Sequence, residues 1–427
     1  MVPSSGVVVA HPGTQHSYET AVGLQQAGLL REYITGLYFK EGHGIGRVLP
    51  MLPERIRNRT LRVLKGRRRP GLDDARVRTC TLLEAIYLAS TRTPVPSWIP
   101  VRLLRLRNRL FGRWVAKRVL STAPAAVLCY DSAAIEVFEA ASHVGAIKIL
   151  DQAICHDIEL LRQENERHAA EFREELPSSE LIDLCREEIG QADMILVGSD
   201  FVKDSLLRTG VAAHKVAVLP YGANLDLFHP PARREPCEPL TAVYAGQLTL
   251  RKGVTYLLEA FQGIQQSVCR LLLIGGRAED ARLLDRYGVV FEHVPFVPRT
   301  ELARLLREAD FFVYPSLLDG SALVTYEALA SGLPVITTPN SGSVVRDRIE
   351  GFIVPPRDVD ALRDRIERLI RDRDLRREMS LNARKRAEEY SWSKYHERLA
   401  ALVRASLKLG GSPEAAFGRA DANVAAR

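Results

Sequence analysis

The stretch Phe311–Thr338, FFVYPSLLDGSALVTYEALASGLPVITT, places a turn and a helical segment between two apolar runs. Short apolar runs separated by a helix are the grammar of a βα unit in a parallel sheet. The strand FFVYPS ends at Pro315-Ser316, and DGSALVTYEALASG turns into a helix closed by Gly332. Two acids, Asp319 and Glu327, lie eight positions apart around that turn. The backbone N–H groups of Gly320, Ser321, Ala322 and Leu323 are expected to open from a helix N-terminus, whose partial positive charge suits a phosphate. Carboxylates are poor phosphate ligands but good acceptors for sugar hydroxyls. The combination points to a ligand carrying both phosphate and sugar. An N-capping Asp and a solvated helical Glu would give the same spacing, so spacing alone leaves both readings open.

The same alternation extends outward in both directions. GVVVAH, AAVLCY, AIKILD and DMILVGS read as strands of a first half, each followed by a helical pattern such as FVKDSLLRTG. The segment KVAVLPYGANLDLFHPPARREPCEPL, with four prolines between Phe228 and Pro239, reads as a linker. A second series follows, from LTAVYAG through RLLLIGG and FFVYPS to PVITTP. The fold class is therefore α/β: two doubly wound domains facing each other, with ligand in the cleft at the carboxyl ends of their strands. The expected division is 1–225, a first domain, and 226–390, a second domain that holds the ligand suggested by Asp319 and Glu327. A helix over about 391–408 packs back on the first, and 409–427 forms a disordered tail.

A chain of 427 residues suits two or three domains, and 46% hydrophobic with 26% charged residues is a globular composition. No run of about 18 apolar residues is present, and MVPSSGVVVAHPGTQHS has neither a basic start nor a long apolar core. A cytoplasmic protein is expected. The six cysteines show no CxxC and no metal-like pairing with histidine, so neither a zinc site nor a disulfide frame is indicated. The net charge of +7 is uneven: residues 47–118 hold 19 Lys/Arg against four acids, or +15, leaving −8 elsewhere.

A second constellation is YAGQLTLRKGVTYLLEAF, where a strand ends at Gly246 and Arg251-Lys252-Gly253 precede a helix. Adjacent cations at such a turn can reach a diphosphate, although a surface pair at a helix start is the alternative.

Taken in order, AG-Q-LTLRKG, LLIGG, FVYPS-LLDGSALVTYEALASGLPVI and GFIVPP resemble the C-terminal half of the family 4 (group 1) GT-B retaining glycosyltransferases. The likeness is strong over about 240–400, includes ADMILVGSDFV and LPYGANLDLF, and is much weaker over the first 150 residues. It implies two Rossmann-like domains and transfer of a sugar from a nucleoside diphosphate to a hydroxyl of a glycan or lipid-linked acceptor. Such an enzyme makes polysaccharide or glycolipid, with no cofactor and no metal. Of the family's paired glutamates, the second falls on Glu327, which implies a hold on the ribose. The first is Asp319, which implies contact with the donor sugar. The family's Gly-Arg is Gly246-Gln247 here. Lys252 matches the phosphate-binding Lys, with Arg251 as the substitute charge, and Ala322 replaces a glycine. The DxD-like DVD (358–360) and DRD (372–374) read as solvated helical faces.

In the first half, Gly13, Thr14 and His16 of HPGTQHS sit where the family places a loop touching donor and acceptor, against the alternative of an ordinary βα turn. His156 in DQAICHDIELLRQE resembles a cleft histidine contacting the donor sugar. The basic segment, with VRLLRLRNRLFGRWVAKRVL as its helix, suits an anionic membrane surface on the cytoplasmic side, against a plain cationic surface; no nucleic acid is expected, since no such motif accompanies the charge. Rival functions are a sugar-nucleotide epimerase or hydrolase, and a catalytically idle GT-B module on a membrane surface.

Overall fold

The structure, a computed structural model, describes residues 6–39, 53–54, 67–91, 98–153, 158–168, 176–232, 239–276, 287, 289 and 291–408. His156, part of the basic segment and the tail 409–427 lie outside the described residues.

Short β-branched and apolar runs form the strands. In the first half these are β1 (Val7–His11), β2 (Leu30–Thr35), β3 (Val77–Thr79), β4 (Ala126–Tyr130), β5 (Ile147–Gln152), β6 (Met194–Val197) and β7 (Val216–Val218). They make one seven-stranded sheet in the order β3-β2-β1-β4-β5-β6-β7. The second half gives β8 (Leu240–Ala245), β9 (Cys269–Ile274), β10 (Glu292–Val294), β11 (Phe311–Tyr314), β12 (Val335–Thr337) and β13 (Gly351–Ile353). These six strands order as β10-β9-β8-β11-β12-β13. Every pairing is parallel. Runs such as VVVAH, AVLCY and FFVY are buried throughout because helices cover both faces of such sheets.

Strand order reverses between β1 and β4 in one sheet and between β8 and β11 in the other. The chain leaves neighbouring strands in opposite directions at such a point, which opens a crevice beyond their carboxyl ends. The opening stretch supplies β11, and Arg251-Lys252 follow β8, so both second-half constellations converge on one crevice.

The two halves are tied where the chain crosses twice. Ala223 N–H donates to Tyr390 O at 3.0 Å, and Trp392 N–H donates to Ala223 O at 3.3 Å. The last helix, Trp392–Lys408, then lies on the first-half helix Ser17–Gln26. Tyr395 OH and Thr20 Oγ1 are 2.9 Å apart, and His396 Nε2 lies 3.1 Å from Glu19 Oε2. Gly23 makes this approach possible: a Cβ there would lie 2.8 Å from the His396 ring and 3.0 Å from its Cα.

Gly23→Ala should therefore destabilise the protein. Helix propensity favours Ala by about 1 kcal/mol, but overpacking costs about 1–3 kcal/mol. Denaturant unfolding should show a net loss, together with faster proteolysis at 392–408. A more stable variant would show that the two helices can part freely.

Candidate active site

Two loops from neighbouring strands are locked together at the second-half crevice. After β8, a short 3₁₀ turn, Leu250–Lys252, ends at Gly253, whose φ is +73°. A Cβ at Gly253 would lie 1.9 Å from Pro315 O, so only glycine lets this turn reach the loop after β11. Arg251 O accepts from Leu317 N–H at 2.9 Å and Leu318 N–H at 3.2 Å, while Arg251 Nη1 donates to Leu318 O at 3.1 Å. Arg251 thus grips the β11 loop through its carbonyl and one guanidinium nitrogen. Gly246, at the end of β8, donates its N–H to Ile274 O at 2.9 Å.

Lys252 and Asp319 form an ion pair through Asp319 Oδ2. Tyr314 OH donates to the same oxygen at 2.9 Å, and Gly320 N–H donates to Oδ1 at 2.9 Å. Burial first, and then the Asp319 charge, push the Tyr314 hydroxyl well above its usual range, so it remains a donor. Asp319 is not an N-cap: the helix runs Leu323–Ala330, and Ala322 occupies the capping position.

The expected row of four outward N–H groups is corrected here. Gly320 N–H is used by Asp319, and Ala322 N–H donates to Ser341 O at 3.0 Å. The loop has to be fastened at both ends, which leaves Ser321 and Leu323 as the N–H groups for a ligand.

Glu327 is 2% exposed, so it is no solvated helical acid. The Arg299 guanidinium, at the start of helix Arg299–Glu308, forms an ion pair with Glu327 through Oε1. A buried carboxylate needs such a partner, and here a cation supplies it. Burial, followed by the charge of Arg69, lowers the Arg299 pKa, and Glu19 opposes this. Arg69 and Glu19 belong to the first half, so the acid and its cation face across the cleft.

In the first half, the candidate turn is mostly braced. Gly13 O accepts from Thr35 Oγ1 at 3.1 Å, and Thr14 O accepts from Ser17 Oγ at 2.7 Å. His16 is 5% exposed, pairs through Nε2 with Asp151 Oδ2 at 2.8 Å, and packs against Tyr221 at 4.3 Å between ring centres.

Sequence reasoning missed Asp131, at the carboxyl end of β4 in the first-half crevice. Burial, with Asp151 adding to it, raises its pKa to about 7. The next residue, Ser132, has φ +70°, a strained backbone that must be held from outside. Glu188 does so, accepting from Ser132 N–H and Ala134 N–H at 2.7 Å each, and Asn108 Nδ2 donates to Ser132 O at 2.9 Å. Burial raises the Glu188 pKa to about 8. The only signal in the sequence was an Asp after a strand, which many βα turns carry. DVD and DRD prove to be helix caps: Asp358 accepts from Ala361 N–H at 2.8 Å and Asp372 from Leu375 N–H at 2.9 Å.

Residues 228–386 match the family model described as Glycosyl transferases group 1. Over 232 residues the chain is 29% identical to the putative colanic acid biosynthesis glycosyltransferase WcaL of Escherichia coli, covering 50% of this chain and 57% of that protein. It is 30% identical over 244 residues to a D-inositol 3-phosphate glycosyltransferase of Xylanimonas cellulosilytica, covering 51% and 57%. The chain thus spans about half the length of the curated relatives it matches. Among solved structures, sucrose-phosphate synthase from Thermosynechococcus elongatus superposes with TM-score 0.67 at 18% identity, covering 95% of this chain and 100% of that one. Anabaena HepE, in complex with UDP and glucose, gives 0.63 at 14%, covering 94% and 100%. The fold is GT-B.

Asp131 and Glu188 bind protons more readily folded than unfolded. Their contribution to stability is complete below the ordinary carboxylate range, about 4, and is lost as pH rises through about 7 and 8. Melting temperature should therefore fall from pH 5 to pH 9, and Asp131→Asn should be stabilised relative to wild type more at pH 8 than at pH 5. An equal difference at both pH values would contradict the assignment.

Proposed function

We propose that this protein is a group 1, family 4 type glycosyltransferase that moves a sugar, with retention, from a nucleoside-diphosphate sugar to a hydroxyl of a glycan or lipid-linked acceptor. One observation carries the reading: the Lys252–Asp319 ion pair stands beyond β8 and β11, where strand order reverses, with the buried carboxylate of Glu327 on the helix that follows. The match of residues 228–386 to a glycosyltransferase family model supports it, as do the names of the relatives.

In this reading the Glu327 carboxylate, beside Arg299, accepts from a ribose hydroxyl and Asp319 from a hydroxyl of the donor sugar. Lys252 turns from Asp319 to the diphosphate as a point charge, joined by the N–H groups of Ser321 and Leu323. These groups stabilise the negative charge that develops as the anomeric carbon–oxygen bond to the diphosphate breaks. The acceptor oxygen bonds to the same face of that carbon while its proton passes to the departing diphosphate oxygen, and retention follows. No step is assigned to a metal, since Lys252 and the loop N–H groups meet the developing charge. Asp131 faces the acceptor side. His156 is proposed to contact the donor sugar on the strength of the sequence resemblance alone.

The helix Trp98–Thr122 presents Arg102, Leu106, Arg109, Arg113, Lys117 and Leu120 on one exposed face. That mixture of cations and apolar groups suits the surface of an anionic membrane. A peripheral place on the cytoplasmic face and a lipid-linked acceptor fit together.

Thermal shift against UDP, GDP and ADP tests the donor site, because a ligand raises apparent stability by mass action. One diphosphate should stabilise the wild type, and Glu327→Ala and Lys252→Ala should each weaken its affinity by about tenfold, equivalent to about 1.4 kcal/mol. No shift with any of the three at millimolar concentration would overturn the donor reading. Sedimentation with phosphatidylglycerol vesicles should show binding that falls several-fold in an Arg109→Glu/Arg113→Glu variant; equal binding would remove the membrane role of this helix.

A further inference from the structure

Outside the donor cradle, one buried charge joins the two halves. Glu164 lies on the first-half helix Ile158–Arg167 and is fully buried. Leu160 of that helix packs on the first-half core. The partners of Glu164 come from the other half: Tyr256 OH donates to Oε2 at 2.7 Å, and Arg357 Nε donates to Oε1. His168 Nε2 lies 3.6 Å from Oε2. Burial works to raise the Glu164 carboxyl, and the nearby His168 ring, the Tyr256 hydrogen bond and the charge of Arg357 outweigh it and hold it below its usual range.

Both partners lie in informative places. Tyr256 is in the first turn of helix Val254–Phe261, which begins directly after Lys252-Gly253. Arg357 follows β13 with φ +70°, and its Nη2 is buried with no hydrogen-bond partner among the described residues. A non-glycine residue in that conformation persists only where its surroundings hold it, and Glu164 is the charge that does so. The helix Ile158–Arg167 also touches the Leu250–Lys252 turn.

We propose that Glu164 is a positioning residue: it clasps the two halves across the cleft and holds the Leu250–Lys252 turn in register for the donor diphosphate. Removing the Glu164 charge alone would leave the buried Arg357 guanidinium uncompensated as long as the halves stay together, which favours their separation into solvent. The clasp thus sets the fraction of molecules closed before any ligand arrives. Apparent affinity scales with that fraction, so weakening the clasp weakens diphosphate binding without removing a ligand contact. The choice of ligand rests on the donor reading above; the clasp itself does not.

The test uses the full chain with Glu164→Gln and, as a milder change, Tyr256→Phe. Small-angle scattering should give a larger radius of gyration for both ligand-free variants than for wild type, and saturating UDP should restore the wild-type value. Affinity for UDP should fall about tenfold if the closed fraction falls to about a tenth. If melting temperature drops while radius and affinity stay within about twofold of wild type, Glu164 is only structural and the proposal is overturned. If the wild type binds none of UDP, GDP or ADP, the donor reading fails separately. The ligand-free radii then decide the clasp: expansion supports it, and no change overturns it.

Discussion

The approach of the Leu250–Lys252 turn to the β11 loop governs the chemistry of this molecule. Gly253 lets the backbone come so near Pro315 O that a side-chain carbon would not fit. Arg251 then fastens Leu317 and Leu318 by backbone and guanidinium bonds. Only because these loops are locked can Lys252 meet Asp319, and only then does Tyr314 reach the same carboxylate. A slack loop would leave a flexible lysine with a strongly hydrated charge, which makes a poor fixed site.

Around this lock, burial and partner choice separate working groups from bracing ones. Asp319 receives Lys252, Tyr314 and the Gly320 N–H as donors, whereas the buried Glu327 is paired with the Arg299 guanidinium. Each acid is held in place by a cation. His16 resembles a site residue in sequence but spends its ring nitrogen on Asp151 behind a wall of aromatic rings. Asp131 is its opposite: inconspicuous in sequence, yet presented at a strained turn that Glu188 and Asn108 hold open. Strain fixed by an outer shell is how a fold keeps a carboxylate pointed at a crevice instead of letting it relax into a cap.

Much of the architecture was legible because parallel strands covered on both faces need unbroken apolar runs, and those runs repeat through the chain. The helix at Trp98–Thr122 was likewise visible from its periodicity. Asp319, Lys252 and Glu327 could be singled out because turn glycines and ordered motifs marked the loops that carry them. The local reading failed where a neighbour distant in sequence takes a group's hydrogen bond. Ala322 N–H goes to Ser341 O, and Arg251 to Leu318 O, and neither choice is written in the residues nearby.

While Val216–Val218, read as part of a linker, forms strand β7, the sequence by itself determined the two series of βα units and the residue types at the carboxyl ends of β8 and β11. Those follow from local periodicity and turn chemistry, which act over a few residues. Tertiary structure alone decided that Glu327 is buried against Arg299, that Asp131 stands at the opposite crevice, and that Glu164 joins Tyr256 and Arg357. Burial and charge pairing depend on which distant segments meet, and one-dimensional order does not contain that until the chain has folded.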